Sequence, residues 1–332
     1  MNSASHAFKA ATGHSIAIVC VPSNYGLKNT KDDMASQFFY DEYFRDVSGF
    51  RNKAVGEAVY YHSKLQEHGI TLAHIAPREG QIDQVYTADP AFTLLEPSTN
   101  TLHVLTSKFT NSTRQAEVDD FVKALKSLTS KGSPLNGIKL NIHEMQNNFE
   151  GTGDCYYDTH RDLIFAGYTL NPDENDLKGG RSHILAHQEV ANTIGVEVIS
   201  LEVVKPCFHI DTCLAPLPSG HILLYKDGLT DKSYDALIKN AFKNYNMDHG
   251  EYLIEIDEND ALNNFATNMQ VVGKQIFMPE FGHPIKPISK NLTNRLNEIG
   301  YDIEVIPYGQ MIKGDGALHC TSHIIASRPM LG

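Results

Sequence analysis

The chain has 332 residues, 41% hydrophobic and 20% charged, with 40 acidic against 28 basic side chains and a formal charge of −12. No stretch approaches the ~18 apolar residues of a membrane-spanning helix, and no Lys/Arg run or basic stripe interleaved with aromatics offers a footprint for nucleic acid. Membrane and nucleic acid are therefore not expected as partners, and the composition is that of a globular protein.

Residues 1–13 are polar and mixed, and read as a flexible tail. The apolar run at 16–21 is too short for the core of a signal peptide, so a cytoplasmic setting is expected. The N-x-S/T triplets at Asn111 and Asn291 then count as chance. Five cysteines are present, an odd number without a CxxC pair, which favours reduced thiols over a disulfide framework. Cys20, Cys155, Cys207 and Cys213 read as packing.

From residue 16 onward a unit recurs: two apolar strands, an amphipathic helix and a further strand. Residues 16–21, a helix at 53–67 and a strand at 70–75 supply part of one copy. The next holds strands at 91–95 and 102–108, a helix aligning Val118, Phe121, Val122, Leu125 and Leu128 on one face, and a strand at 138–142. A third runs through 154–157, 163–168, a helix at 182–194 and 196–203. The clearest has strands at 213–215 and 221–225, a helix at 231–245 and a strand at 252–256. Its helix carries Tyr234, Leu237, Ile238, Ala241, Phe242 and Tyr245 as a single stripe. The fifth takes 268–272, 275–279, a helix at 288–299 and 303–307, and a last strand at 317–325 returns to complete the first. Five modules with a repeat near 60 residues predict an α/β ring closed on itself, spanning 1–332 as one domain.

Polar residues at the module starts sharpen this. Asp89, Glu150, His209, Asn268 and Cys320 follow one another at intervals of 61, 59, 59 and 52 residues. One polar group at the same place in each module would converge on the axis, where a small polar ligand can be surrounded.

Three segments carry the chemistry: Phe149-Glu150-Gly151-Thr152-Gly153-Asp154, Phe208-His209-Ile210-Asp211-Thr212-Cys213, and the glycine-rich approach Gly314-Asp315-Gly316-Ala317-Leu318-His319-Cys320-Thr321. In this order they resemble the guanidine-modifying enzymes of the pentein superfamily, which include arginine deiminases, dimethylarginine dimethylaminohydrolases and glycine amidinotransferases. The resemblance covers the chain from about residue 16. It implies the pentein α/β-propeller, five ββαβ modules in a pseudo-fivefold ring, and a catalytic domain without cofactor or metal. It also implies Cys320 as nucleophile, His209 as general acid and base, and Glu150 as a substrate-holding carboxylate beside His209. Asp89, in Thr87-Ala88-Asp89-Pro90, matches a second guanidinium-binding carboxylate. Asp154 and Asp211 are implied as support or further guanidinium contacts, and Asn268 falls with the substrate contacts. Arg114 and Arg181 sit where the hydrolases carry arginines for the α-carboxylate, which a planar fork suits.

The chemistry needs these residue types. A guanidinium is planar, cationic and a poor electrophile, and carboxylates orient it by bidentate charge-assisted hydrogen bonds. A thiolate above that plane can attack the central carbon and form a covalent intermediate. A histidine then protonates the departing nitrogen and deprotonates the incoming water. The expected ligand is a small cationic guanidine, free arginine or an N-methylated arginine, hydrolysed to citrulline and an amine or ammonia. A homo-oligomer is compatible with this reading.

Other readings follow different features. An amine in place of water would make the chain an amidinotransferase, with the outcome set at the pocket mouth, expected from the turn-rich segment 22–33. Cys207, His209, Cys213, His319 and Cys320 are zinc-friendly types, but Cys207-x-His209-x3-Cys213 departs from structural zinc spacings. A pentein that binds without reacting conflicts with the presence of Cys320, His209 and Glu150. Relatives of the arginine dihydrolase type tend to carry Asn where this chain has Asp89, and Gly180-Arg181-Ser182-His183 only partly matches the hydrolases' Ser-x-Arg-Thr-like run.

Overall fold

The computed structural model describes residues 9, 15–26, 43–173 and 180–329. The expected tail at 1–13, save residue 9, and most of the mouth segment at 22–33 lie outside the described residues.

The described chain forms five small sheets. In the first, β1 (Ile16–Cys20) runs parallel to β2 (Thr71–Ile75), with the helix α1 (Val47–Glu67) between them in sequence. The second contains β3 (Ala91–Glu96), β4 (Thr101–Thr106) and, after the helix α2 (Ala116–Leu128), β5 (Lys139–Glu144). The third contains β6 (Cys155–Asp158), β7 (Leu163–Tyr168) and β8 (Glu197–Glu202); the fourth β9 (Leu214–Pro216), β10 (Ile222–Leu224) and β11 (Leu253–Glu255). The fifth contains β12 (Gln270–Val272), β13 (Gln275–Glu280) and β14 (Asp302–Pro307). In each of these the central strand pairs antiparallel with the first and parallel with the third. The chain then returns: β15 (Ser322–Ile324) pairs antiparallel with β1, and β16 (Ala326–Ser327) adds to β3.

Apolar residues above and below the strands make five buried clusters, each between two sheets. They join the first sheet to the second through Ile18 and Leu95, the second to the third through Leu94 and Ile164, and the third to the fourth through Phe165 and Leu214. Ala215 with Ile276 joins the fourth to the fifth, and Phe277 with Val19 the fifth to the first. β3, β6, β9, β12 and β15 line a shared cavity of about 90 Å³, to which Thr93, Tyr156, Pro216, Gln270 and Ser322 each contribute.

Local sequence accounts for the helices. Asp46 caps α1 by accepting from Gly49, which starts that helix six residues before the expected 53. On α2 the buried side chains are Glu117, Val118, Phe121, Leu125 and Leu128, the apolar ones spaced for one face. The expected helix at 231–245 holds its α-helical form only over Asp231–Leu237. A wider π turn at Ile238–Phe242 and a 3-10 turn at Lys243–Tyr245 follow, keeping Ile238, Ala241 and Phe242 buried. A second correction concerns 317–325, where strand begins only at Ser322. Ala317 and Cys320 give their amide hydrogens to the side chain of Asn268 instead of to a ladder. Among the described residues, no helix is long and apolar enough to cross a membrane.

Candidate active site

The segments before β3, β6, β9, β12 and β15 bring the expected residues together in one buried centre. Glu150 precedes a single helical turn, Gly151–Asp154, that leads into β6. Gly151 has φ +54°, and a Cβ there would lie 2.5 Å from the carbonyl oxygens of Ala88 and Asp89. Only glycine lets the Glu150 loop press this closely on the backbone that carries Asp89. Gly153 leaves room of another kind: its Cβ would sit 2.7 Å from Asp89 Oδ1 and 2.8 Å from His209 Nδ1.

His209 Nε2 and Glu150 Oε2 are 3.0 Å apart, both side chains almost wholly buried. Burial opposes charge on each, but the pair overrides it. The hydrogen bond and charge of His209, with the charges of Arg181 and Arg114, hold Glu150 down at about 2. Asp154, Asp89 and Glu150 raise His209 to about 9. Glu150 is thus a carboxylate and His209 an imidazolium at neutral pH. The second oxygen of Glu150 accepts from the amide of Thr110, and its own amide donates to Ser182 Oγ.

Cys320 lies at the bottom of the centre, 3% exposed. Its Sγ is 3.4 Å from Asp211 Oδ2 and 3.0 Å from Asn268 Nδ2. Burial first, then the charges of Asp211 and Asp89, push the thiol well above its usual range, so it is protonated at rest. Among the described residues, Asp89 Oδ1, Asp211 Oδ1 and His209 Nδ1 have no hydrogen-bond partner, and His209 Nδ1 faces Asp89 Oδ1 at 3.9 Å. Two carboxylate acceptors left open beside a thiol form a receptacle for a cationic, planar donor.

The remaining expected residues occupy supporting places. Asn268 spends its amide on the cysteine loop, through Sγ and the amides of Ala317 and Cys320, rather than facing outward toward a ligand. Asp154 accepts from the amides of Ser182 and Ile210 and from Ser182 Oγ, which braces the strand entry behind His209. Arg114 is buried, with Nη1 2.9 Å from Asp89 Oδ2 and Nε and Nη2 on the two oxygens of Glu117. Its fork is engaged by carboxylates of the chain, where the expectation had it holding a substrate carboxylate. Arg181 lies over the ring of Phe208, 5.6 Å from its centroid, and its carbonyl accepts from Thr110 Oγ1. Among the described residues no three of His, Cys, Asp and Glu form a metal set, and all five cysteines are free and buried.

The model of the family "N,N dimethylarginine dimethylhydrolase, eukaryotic" matches residues 22–323. The chain belongs to this family. A bifunctional arginine dihydrolase/ornithine cyclodeaminase of Synechocystis sp., ArgZ, is 28% identical over 273 residues, 81% of this chain and 33% of that protein. The chain thus spans about a third of the length of such bifunctional relatives. An N(G),N(G)-dimethylarginine dimethylaminohydrolase of Mycobacterium tuberculosis is 24% identical over 283 residues, 83% of this chain and 77% of that protein. The N-terminal domain of ArgZ, solved with product, superposes with TM-score 0.73 at 23% identity, covering 96% of this chain and 100% of that one. A dimethylarginine dimethylaminohydrolase adduct superposes with TM-score 0.62 at 16% identity, covering 94% and 99%. These likenesses establish the fold.

Within the family frame, three supporting residues escaped the sequence reading. Thr110 links Glu150 to the Arg181 backbone, Ser182 links Glu150 to Asp154, and Glu117 pairs with Arg114. Only the last left a signal, the i,i+3 spacing of opposite charges across the start of a helix.

Proposed function

We propose that the chain is a hydrolase acting on the guanidinium of free arginine or an N-methylated arginine, through a covalent intermediate on Cys320. The carrying observation is the pair of buried carboxylate oxygens without a hydrogen bond, Asp89 Oδ1 and Asp211 Oδ1, with His209 Nδ1 3.9 Å from the first, around a thiol that is protonated at rest. A bound guanidinium satisfies both carboxylates and brings a positive charge to the thiol, which favours the thiolate. Sγ attacks the central carbon, and the His209 imidazolium protonates the departing nitrogen through Nδ1. The neutral imidazole then takes a proton from water as it attacks the thiouronium carbon, releasing citrulline and restoring the thiol.

Other parts of the reading rest on supporting facts. The five clusters joining neighbouring sheets in sequence, the fifth back to the first, support a closed pseudo-fivefold propeller in a single domain over 1–332. Arg181, whose charge acts on Glu150, is kept beside Arg114 as a candidate for the substrate's α-carboxylate. Family relatives named as hydrolases favour water over an amine as the second reactant.

The deciding experiment incubates pure protein with arginine and its methylated forms, with and without glycine or other amines, and reads products by mass spectrometry. Citrulline without added amine is the expected result. A guanidino product that needs an amine, with no citrulline in its absence, would replace hydrolysis by amidino transfer.

A further inference from the structure

Asp211 Oδ2 serves two neighbours. It lies 3.4 Å from Cys320 Sγ and 2.8 Å from His319 Nδ1. Asp211 is fully buried, and His319 keeps 11% of its side chain exposed. That exposure belongs to a ring lining the shared cavity, where it stacks on Tyr156 at 4.5 Å and 19°. Adjacent residues thus carry the nucleophile into the site and an imidazole into a different, solvent-connected space, and one carboxylate oxygen joins them. Among the described residues, no Asp, Glu, Lys or Arg lines the cavity. The titratable groups around the ring are Tyr156 on its face, Asp211 at Nδ1, Cys155 and Tyr157 elsewhere in the lining, and the buried His323, which His319 opposes in charge.

This arrangement answers a difficulty left by the proposed mechanism. A thiolate at Cys320 must form 3.4 Å from a carboxylate, and two like charges at that distance disfavour each other. We propose that His319 is the positioning residue that removes this obstacle: it holds Asp211 through Nδ1 and takes a second proton, on Nε2, from the shared cavity as the thiolate forms. The accounting is simple. When the Sγ–H bond breaks, its proton leaves to water on the substrate side. An Nε2–H bond forms on His319 with a proton from cavity water. The Asp211–His319 pair is then neutral where the thiolate appears, and the site gains no net charge. The cavity supplies protons by a route that substrate does not block.

The inference builds on the proposed hydrolase reading, but its test reads the thiol directly. The rate at which neutral iodoacetamide alkylates Cys320 is followed against pH by peptide mass spectrometry. The proteins are wild type, His319→Ala, His319→Asn, and His319→Ala with added imidazole, each checked for a retained melting transition. His319→Ala is expected to raise the apparent thiol pKa by about one unit, about tenfold less thiolate at neutral pH. Imidazole, small enough to enter the cavity, should restore the rate in proportion to its concentration. His319→Asn, which keeps a hydrogen-bond donor toward Asp211 but cannot carry charge, should stay slow. Wild-type rates in the Asn variant, or a slow, folded Ala variant that imidazole does not restore, would overturn the proposal, and so would an Ala variant as fast as wild type. If the chain hydrolyses no guanidine, the proposed function fails, while the alkylation series still decides the role of His319.

Discussion

Glu150 and His209 meet out of reach of bulk water, and in the proposed mechanism their contact decides which of them carries the proton. With Glu150 at about 2 and His209 at about 9, the general acid is loaded across the neutral range. The wild-type kcat should fall on the alkaline side as pH passes about 9. Glu150→Gln removes a carboxylate that helps hold the imidazolium, so that limb should move to lower pH by one unit or more, read from the pH–rate profile. The pair also links pH to stability. His209 is raised above its usual 6.5, so its contribution is complete below about 6.5 and lost as pH climbs to about 9. Glu150 is depressed below 4.5, so its contribution is complete above about 4.5 and lost as pH falls toward 2. Asn268 acts otherwise, because it grips the nucleophile's loop. In Asn268→Ala the amides of Ala317 and Cys320 lose their acceptor in a dry interior, at about 1–3 kcal/mol each. A lower melting temperature and at least tenfold slower Cys320 alkylation are expected, and unchanged alkylation would contradict the gripping role.

At the scale of elements, two glycines before β6 make different demands. Gly151→Ala combines a positive φ with contacts of 2.5 Å to backbone oxygens that cannot turn aside. It should destabilise the fold by several kcal/mol and lower soluble yield. Gly153→Ala meets side chains, Asp89 and His209, which can rotate away. It should fold and melt near wild type yet lose most turnover, and a fully active Gly153→Ala protein would show that neither group needs its present position. The turn itself was legible in Phe149-Glu150-Gly151-Thr152-Gly153-Asp154, and so was the pairing of Glu150 with His209, because module spacing reports where a residue sits. Spacing does not report where a side chain turns once there. Asn268 stands at the expected place, but its amide reaches along the chain to residues 317 and 320. Arg114 similarly stands beside the site, with Glu117 one helical turn away to claim it. Strand ends were misjudged for a related reason: the amides at 317 and 320 are satisfied by a side chain 49 and 52 residues distant in sequence, which no local pattern announces.

At the scale of the molecule, every sheet shares apolar residues with two others. Removing a large side chain from one shared cluster should therefore weaken the whole. Phe165→Ala, in the cluster between the third and fourth sheets, should cost about 3–5 kcal/mol. It should shift one urea transition rather than split it. The chain has 15 tyrosines and no tryptophan, so tyrosine fluorescence and far-ultraviolet circular dichroism are the probes to overlay. Two separated transitions would show independent units and dissolve the single-domain reading.

The pairing of β15 with β1 has a consequence in time. During synthesis Ile16–Cys20 emerges some three hundred residues before Ser322–Ile324. Until then β1 has one edge covered by β2 and the other open, a row of apolar residues with unspent amides and carbonyls. Such an edge invites a neighbouring nascent chain on the same message, and closing so long a loop is slow. The stretch that finally covers it also delivers Cys320. A chain interrupted anywhere before residue 320 is at once without its proposed nucleophile and primed to stick, so premature termination should leave aggregates for the quality-control machinery rather than soluble fragments that compete for substrate.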